Sequence, residues 1–163
     1  MATGGVIGSD GPDAGTAADL PVRRTAIVGR GRVGGALAAL LGAHPGFDLV
    51  AGPLGRGDDV TSIAHAADLV LLAVSDGAVA TVARAIRPTE GSVLVHFAGS
   101  LTLDSLAPHP RRASLHPLSP IPPDPDLAVE RLRGSWMALA GDPVVTELAD
   151  ALGGRGFSVG EPD

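Results

Sequence analysis

The sequence contains no cysteine and no tyrosine, and its aromatic side chains amount to three phenylalanines and one tryptophan. Without cysteine, disulfides, thiolate nucleophiles and Cys-ligated zinc are excluded, and any redox chemistry must belong to a bound cofactor. With so few aromatics a core has to be assembled from Ala, Val, Leu and Ile, which favours closely packed layers of sheet and helix. Basic residues are in deficit, twelve against eighteen acidic ones, and the net charge of −6 repels phosphate backbones and anionic bilayers over most of the surface. Neither nucleic acid nor a membrane is therefore an expected partner. No apolar run approaches the ~20 residues of a membrane span, and the N-terminus has no basic start leading into an apolar stretch. These absences read as a soluble, cytoplasmic protein.

At 163 residues, 45% of them apolar, the chain is long enough for one domain with a real core and short for a two-domain enzyme. Residues 1–22, rich in Gly, Ala, Asp and Thr without periodicity, read as a disordered tail, and 23–163 as the folded domain. From Arg23 onward short β-type runs alternate with helical patterns, the signature of βαβ units around a mostly parallel, doubly wound sheet. The expected strands are Thr25–Val28, Asp48–Ala51, Leu69–Val74, Ser92–Phe97, Arg112–His116 and Trp136–Ala140. Leu69–Val74 is apolar on both faces, as a central strand covered by helices must be. Three helical stripes are visible: Val33, Ala36, Leu37, Leu40 and Leu41; Ala78, Val79, Val82, Ala83 and Ile86; and Val144, Val145, Leu148, Ala149 and Leu152. Pro88 stops the second and Gly153-Gly154 ends the third. His116–Asp126, with five prolines, reads as an ordered loop.

The segment GRGRVGGALAALL, Gly29 to Leu41, matches G-x-G-x-x-G directly after the first strand and at the start of the first helix. In that setting Gly29 permits the tight turn, Gly31 lets the backbone approach a pyrophosphate, and Gly34 lets helix and strand pack closely, while the N–H groups of Arg30, Arg32 and Val33 border the phosphates. The neighbouring strand end at Val74, Ser75 and Asp76 closes the expected cofactor site. The end of the second strand selects the cofactor, because an acid there binds the ribose hydroxyls of NAD or FAD. Here Gly52-Pro53-Leu54-Gly55-Arg56 follows, with no carboxylate until Asp58. Arg56, assisted by Arg30, suits a 2′-phosphate. NADP is expected over NAD, with NAD left open.

Four stretches in order, GRGRVGGALAALL, ADLVLLAVSDGAVATVA, VLVHFAGSLTLDSLAP and RRASLHPLSPIP, resemble bacterial Rossmann-like proteins whose second half is a helical domain of unknown function. That group is similar to ketopantoate reductase, pyrroline-5-carboxylate reductase and prephenate dehydrogenase. The resemblance runs from about Thr25 to about Val159 and implies an NAD(P)-binding oxidoreductase without fixing its substrate. Ser75 departs from the proline usual there, leaving Ser75 or Asp76 free to cap the next helix. The sequence ends at Asp163, where the family continues into the helical domain that closes over substrate and dimerises, so a separate helical partner or a homo-oligomer is an expected complement.

Ligands of doubly wound sheets lie beyond the carboxyl ends of the strands, where His96, Ser100 and His116 fall. Reduction of a carbonyl or imine needs a proton donor and groups that orient the substrate. His116, in the family's His-Pro motif, suits the donor, with Ser100 or His96 as orienting groups; a strand-end or loop role without catalysis stays open for both histidines. His44, His65 and His109 are scattered without i, i+4 partners, so no metal site is expected. Asp58-Asp59 reads as a solvated turn or helix start, and Asp104 as a solvent-facing residue of a short helix. The leading function is NADP-dependent reduction of a small oxo acid or imine, ketopantoate-like. The alternative is a cofactor-binding module without activity of its own, a sensor or one half of a split enzyme. A methyltransferase or flavoprotein is disfavoured by the missing acid after the second strand.

Overall fold

The computed structural model describes residues 21–160. Most of the expected tail, 1–22, lies outside them. The described chain runs β1 (Arg23–Val28), α1 (Arg32–Gly42), β2 (Phe47–Leu54), α2 (Ile63–Ala66), β3 (Leu69–Leu72), α3 (Asp76–Ala85), β4 (Val93–His96), a single 3-10 turn at Leu103–Leu106, β5 (Arg112–Pro117), α4 (Pro125–Arg133), β6 (Trp136–Gly141), α5 (Val144–Ala151) and β7 (Arg155–Ser158). The seven strands form one sheet in the order β2-β1-β3-β4-β5-β6-β7. All neighbours are parallel except β5 and β6, which are antiparallel. This is the expected α/β, doubly wound, mostly parallel architecture.

Helices cover both faces, and the apolar stripes decide which residues they bury. Leu37 and Leu41 of α1, Leu132 of α4 and Leu148 of α5 pack with Ile27, Leu71, Val95, Leu115 and Met137 of the sheet. On the opposite face Ile63 of α2, Val79 and Ala83 of α3 and Leu106 of the 3-10 turn pack with Val28, Val70, Leu72 and Leu94. Leu69, Val70, Leu71 and Leu72 are all fully buried, as in an interior strand with helices on either face. Among the described residues the second face is covered over β1, β3 and β4, and the 3-10 turn reaches the start of β5. Beyond it, Ser114 and His116 of β5 pair with Ala140 and Ala138 of β6, and Ala138 with Phe157 of β7. Leu118, Trp136, Phe157 and Val159 are exposed there.

Several elements depart from the sequence reading. β2 continues past Ala51 to Leu54 because two register shifts against β1 absorb extra residues. Gly52 makes this possible: its φ is +99°, and a Cβ there would stand 2.1 Å from the Ile27 carbonyl oxygen. β3 ends at Leu72, two residues early, freeing Ala73 and Val74 for the turn into α3. α4 begins inside the proline-rich segment read as loop. Asp124 is its N-cap, accepting the Leu127 N–H at 3.0 Å, and Pro125 occupies the first turn, where its missing N–H removes no helical bond. β7 is an edge strand with every residue exposed, seated on β6 by backbone bonds such as Arg155 N–H to Ser135 at 2.9 Å.

An ion pair clamps the starts of β1 and β3. Asp68 Oδ2 accepts the Arg24 backbone N–H at 2.9 Å and Oδ1 accepts the guanidinium at 2.8 Å, while the Asp68 N–H returns to the Arg24 carbonyl at 2.7 Å. The bonded guanidinium lowers the Asp68 carboxyl below its usual range, against a smaller opposing effect of burial. A depressed carboxyl stabilises the fold above its ordinary range and loses that contribution as pH falls through the folded value. Asp68→Asn is therefore expected to lower the urea midpoint at neutral pH, with the gap from wild type closing on acidification. A gap unchanged in acid would assign the residue a purely steric role.

Candidate functional site

The strand order reverses between β1 and β3, and the crevice this opens at their carboxyl ends is where such sheets bind ligands. A cleft of about 570 Å³ lies there, with Val28 to Gly31, Leu54 to Asp58, and Val74 and Ser75 in its walls. The three glycines of the loop meet different demands. At Gly29, φ is +118° and a Cβ would stand 2.0 Å from the Ala73 carbonyl oxygen. At Gly34 a Cβ would stand 2.0 Å from the Gly29 carbonyl oxygen. Gly29 is required by the close approach of the turn after β3, and Gly34 by the packing of α1 on the glycine loop. Gly31 differs, because a Cβ there would meet nothing within 4 Å and its φ of −79° suits any residue. The fold does not require glycine at 31, where the backbone borders open space.

Gly31 is also the N-cap of α1 and offers no capping side chain, so the first N–H groups of the helix, from Arg32 onward, lack intrahelical acceptors. A diphosphate suits that end by both hydrogen bonding and helix dipole. Arg32 reaches the Ile121 carbonyl at 3.4 Å and ties the proline segment to the glycine loop. Val33 turns its side chain into the core, leaving only its backbone toward the loop.

At the far end of the cleft Arg56 is exposed and makes no hydrogen bond or ion pair among the described residues. The expected absence of an acid after β2 is corrected here. Because β2 runs to Leu54, Asp58 lies four residues beyond its end and lines the same cleft. Its Oδ2 accepts from the Arg30 guanidinium at 2.9 Å and from the Gly55 N–H at 2.7 Å. Asp59 is confined to a turn, accepting the Thr61 N–H, which lowers its carboxyl below the usual range.

A second, smaller cavity of about 200 Å³ lies on the sheet face between the loop after β4 and strands β5 and β6, lined in part by Gly99, Ser100, Ser114 and His116. His116 donates from Nδ1 to the Phe97 carbonyl at 3.2 Å, which directs Nε2 away from that carbonyl. The ring lies so close to Gly99 that a Cβ there would stand 2.5 Å from Nε2. Gly99 lies in HFAGS immediately after β4, within the Ala98–Ser100 stretch whose backbone N–H groups the sequence places toward this rim. Ser100 and His116 thus share one cavity.

Ser100 donates its hydroxyl to Asp76 Oδ2 at 2.6 Å, joining the loop after β4 to the first turn of α3. This also revises the expected cap of α3. Ser75 occupies the N-cap position without a side-chain bond, and Asp76 spends its carboxylate on Ser100. His96 is fully buried, and its Nδ1 accepts the Ala98 N–H at 3.2 Å. It shapes the loop carrying Gly99 and Ser100 from within and has no surface with which to touch a ligand. Of the other histidines, His109 is buried with Nε2 bonded to the Ala83 carbonyl at 2.8 Å, and His44 accepts the Gly46 N–H. Among the described residues no group of three or more His, Asp or Glu could hold a metal ion, and no helix is long and apolar enough to cross a membrane. Asp104 is solvent-facing on the 3-10 turn.

No protein-family model matches the sequence, and no curated protein matches it. Solved structures do match its fold. Pyrroline carboxylate reductase from Plasmodium falciparum, determined with NADP bound, is 15% identical with a TM-score of 0.62, over 87% of this chain and 59% of that one. Prephenate dehydrogenase from Aquifex aeolicus, with hydroxyphenyl propionate and NAD+, is 16% identical with a TM-score of 0.64, over 86% and 61%. Reductive aminase from Aspergillus terreus, with NADPH and ethyl levulinate, is 17% identical with a TM-score of 0.60, over 86% and 55%. The chain has the Rossmann-like fold of these NAD(P)-binding oxidoreductases and spans rather more than half the length of each.

Proposed function

We propose that this chain is the cofactor-binding unit of an NAD(P)-dependent oxidoreductase that reduces a small oxo acid or imine, ketopantoate-like among the former, and prefers NADP. The observation that carries the reading is the open space at Gly31, beside a helix N-terminus without a capping side chain and at the strand-order reversal. Gly29 and Gly34 shape the loop; Gly31 and the N–H groups that follow it hold the diphosphate; Leu54, Val60 and Val74 flank the adenosine; Arg56 pairs with the 2′-phosphate. The nicotinamide supplies the hydride when the cofactor is bound.

The chain's own residues handle the proton and the substrate's orientation. With Nδ1–H donated to Phe97, His116 donates from Nε2 only as the imidazolium. Ser100 has its proton committed to Asp76 and offers a substrate lone pairs rather than an O–H. That arrangement favours a group carrying an N–H, such as a protonated imine, and Asp76 adds a negative charge behind it. The alternative reading, a cofactor-binding module without activity of its own, is favoured by the bare β5–β7 face beside the His116 cavity. A helical partner, or a second copy, is the proposed cover.

Cofactor binding is tested first. In thermal shift titrations NADPH is expected to stabilise the chain more than NADH, and Arg56→Ala to narrow the difference. Equal shifts from both cofactors would remove Arg56 from the argument, and no shift from either would overturn the reading as a whole.

A further inference from the structure

The sheet has two edges, and they differ in how readily a further strand could be added. At one edge β2 carries Pro53, which has no N–H to give, and two register shifts against β1, features that discourage pairing with another chain. At the other, β7 has no proline, no lysine and no register shift against β6, and among the described residues no strand lies beyond it. The Arg155 and Val159 N–H groups turn inward to the Ser135 and Leu139 carbonyls at 2.9 and 2.8 Å. Backbone alternation then turns the N–H and C=O groups of Gly156 and Ser158 outward, to the open edge. Phe157 and Val159 are exposed beside them, and Phe157 meets the ring of Trp136 edge-on, 6.2 Å between centroids.

We infer that β7 pairs antiparallel with β7 of a second copy of this chain, about a two-fold axis at Ser158. That register sets Ser158 against Ser158, Gly156 against Gly160, Phe157 against Val159 and Arg155 against Glu161, the residue that follows the described chain. The first two pairs exchange bonds between backbone groups that already point outward. The third is an aromatic pair with a β-branched residue and the fourth joins opposite charges, both of which stabilise neighbouring strands. A parallel arrangement would instead bring Arg155 against Arg155. Because the same patch serves both copies, the contact closes on itself and gives a dimer rather than a fibre. It also reaches the site, since Val159 and Gly160 line the His116 cavity and Phe157 of the partner subunit stands beside that rim. The pairing extends the sheet and leaves the face above β5 and β6 open.

The test is sedimentation velocity of the full chain over a range of concentrations. The wild-type chain is expected to dimerise in the micromolar range. Ser158→Pro removes an outward N–H and costs no bond to β6, and is expected to weaken the dimer roughly tenfold or more with an unchanged circular dichroism spectrum. Arg155→Glu faces Glu161 with a like charge and is expected to weaken it roughly tenfold, and the exchange Arg155→Glu with Glu161→Arg to restore it. The charge exchange decides the matter if Ser158→Pro fails to fold. A wild-type chain that stays monomeric, or that associates only with some other protein, would overturn the inference. A dimer indifferent to both single variants would place the contact elsewhere and overturn it equally, and neither result bears on dinucleotide binding.

Discussion

Replacing Gly31 with valine is expected to remove dinucleotide binding from a chain that still folds, weakening NADPH by roughly a hundredfold or more. The backbone at 31 has φ −79° and ψ −164°, which valine adopts readily, and a Cβ there meets no atom of the protein within 4 Å. The branched side chain would instead occupy the space in front of the first N–H groups of α1. Gly34→Ala is the opposite case. Its Cβ would fall 2.0 Å from the Gly29 carbonyl oxygen, so α1 must move off the turn, at about 1–3 kcal/mol for overpacking of this kind. Circular dichroism melts should show Gly34→Ala destabilised and Gly31→Val nearly unchanged, whereas calorimetry with NADPH should rank Gly31→Val as the more damaging to binding. Normal affinity in Gly31→Val would mean that the loop does not hold a diphosphate.

Distinct roles for the three glycines could be read from the motif in its strand-turn-helix setting; the backbone atoms that exclude a Cβ at Gly29 and Gly34 come only from the tertiary fold. The architecture was legible because its signals are periodic. Leu69 to Leu72 is apolar without interruption, and only a strand with helices on both faces buries such a run. The stripes of α1, α3 and α5 recur at helical spacing and each marks a face that the sheet buries. Elements without a periodic signal escaped. β7, Arg-Gly-Phe-Ser, is exposed along its length and exists through its pairing with β6. α4 was obscured by five prolines in eleven residues, although Asp124-Pro125 is an N-cap followed by a proline that the first turn of a helix tolerates.

The site was legible by its residues rather than by its bonds. Arg56 at the cleft, and Ser100 with His116 at one cavity, follow from strand ends alone. Asp58 was set aside because the end of β2 was read three residues short, and no composition signal reveals a register shift. His96 occupies a strand end as expected, but β4 is covered on both faces and buries the side chain whichever way it points. Where Ser100 donates its one hydroxyl proton is decided by Asp76, twenty-four positions earlier, a pairing that only the tertiary fold supplies.

Turnover by this 163-residue chain is expected to be very slow even when NADPH is bound. His116 and Ser100 border a cavity that opens onto a sheet face with no helix over it among the described residues, where Trp136 and Phe157 are 53% and 39% exposed. A substrate there would be held from one side, with water on the other. Positioning of reactants accounts for ~7–11 kcal/mol of a catalysed barrier, so a half-enclosed substrate forfeits most of the rate with every named residue in place. The measurement is NADPH oxidation at 340 nm with ketopantoate and with a cyclic imine, by the chain alone and after addition of a helical partner. The lone chain should fall far below the ~1–10³ per second of ordinary enzymes. A partner that covers the β5–β7 face should restore turnover, which His116→Ala should then lower by roughly 10²–10⁴-fold, the usual worth of a general acid, while NADPH affinity stays unchanged. Trp136→Ser should block restoration without altering cofactor binding, because its side chain lies on the face to be covered and outside the cleft. Ordinary rates from the lone chain would overturn this account and assign closure of the site to the segment from Pro117 to Pro125, which Arg32 already anchors through Ile121.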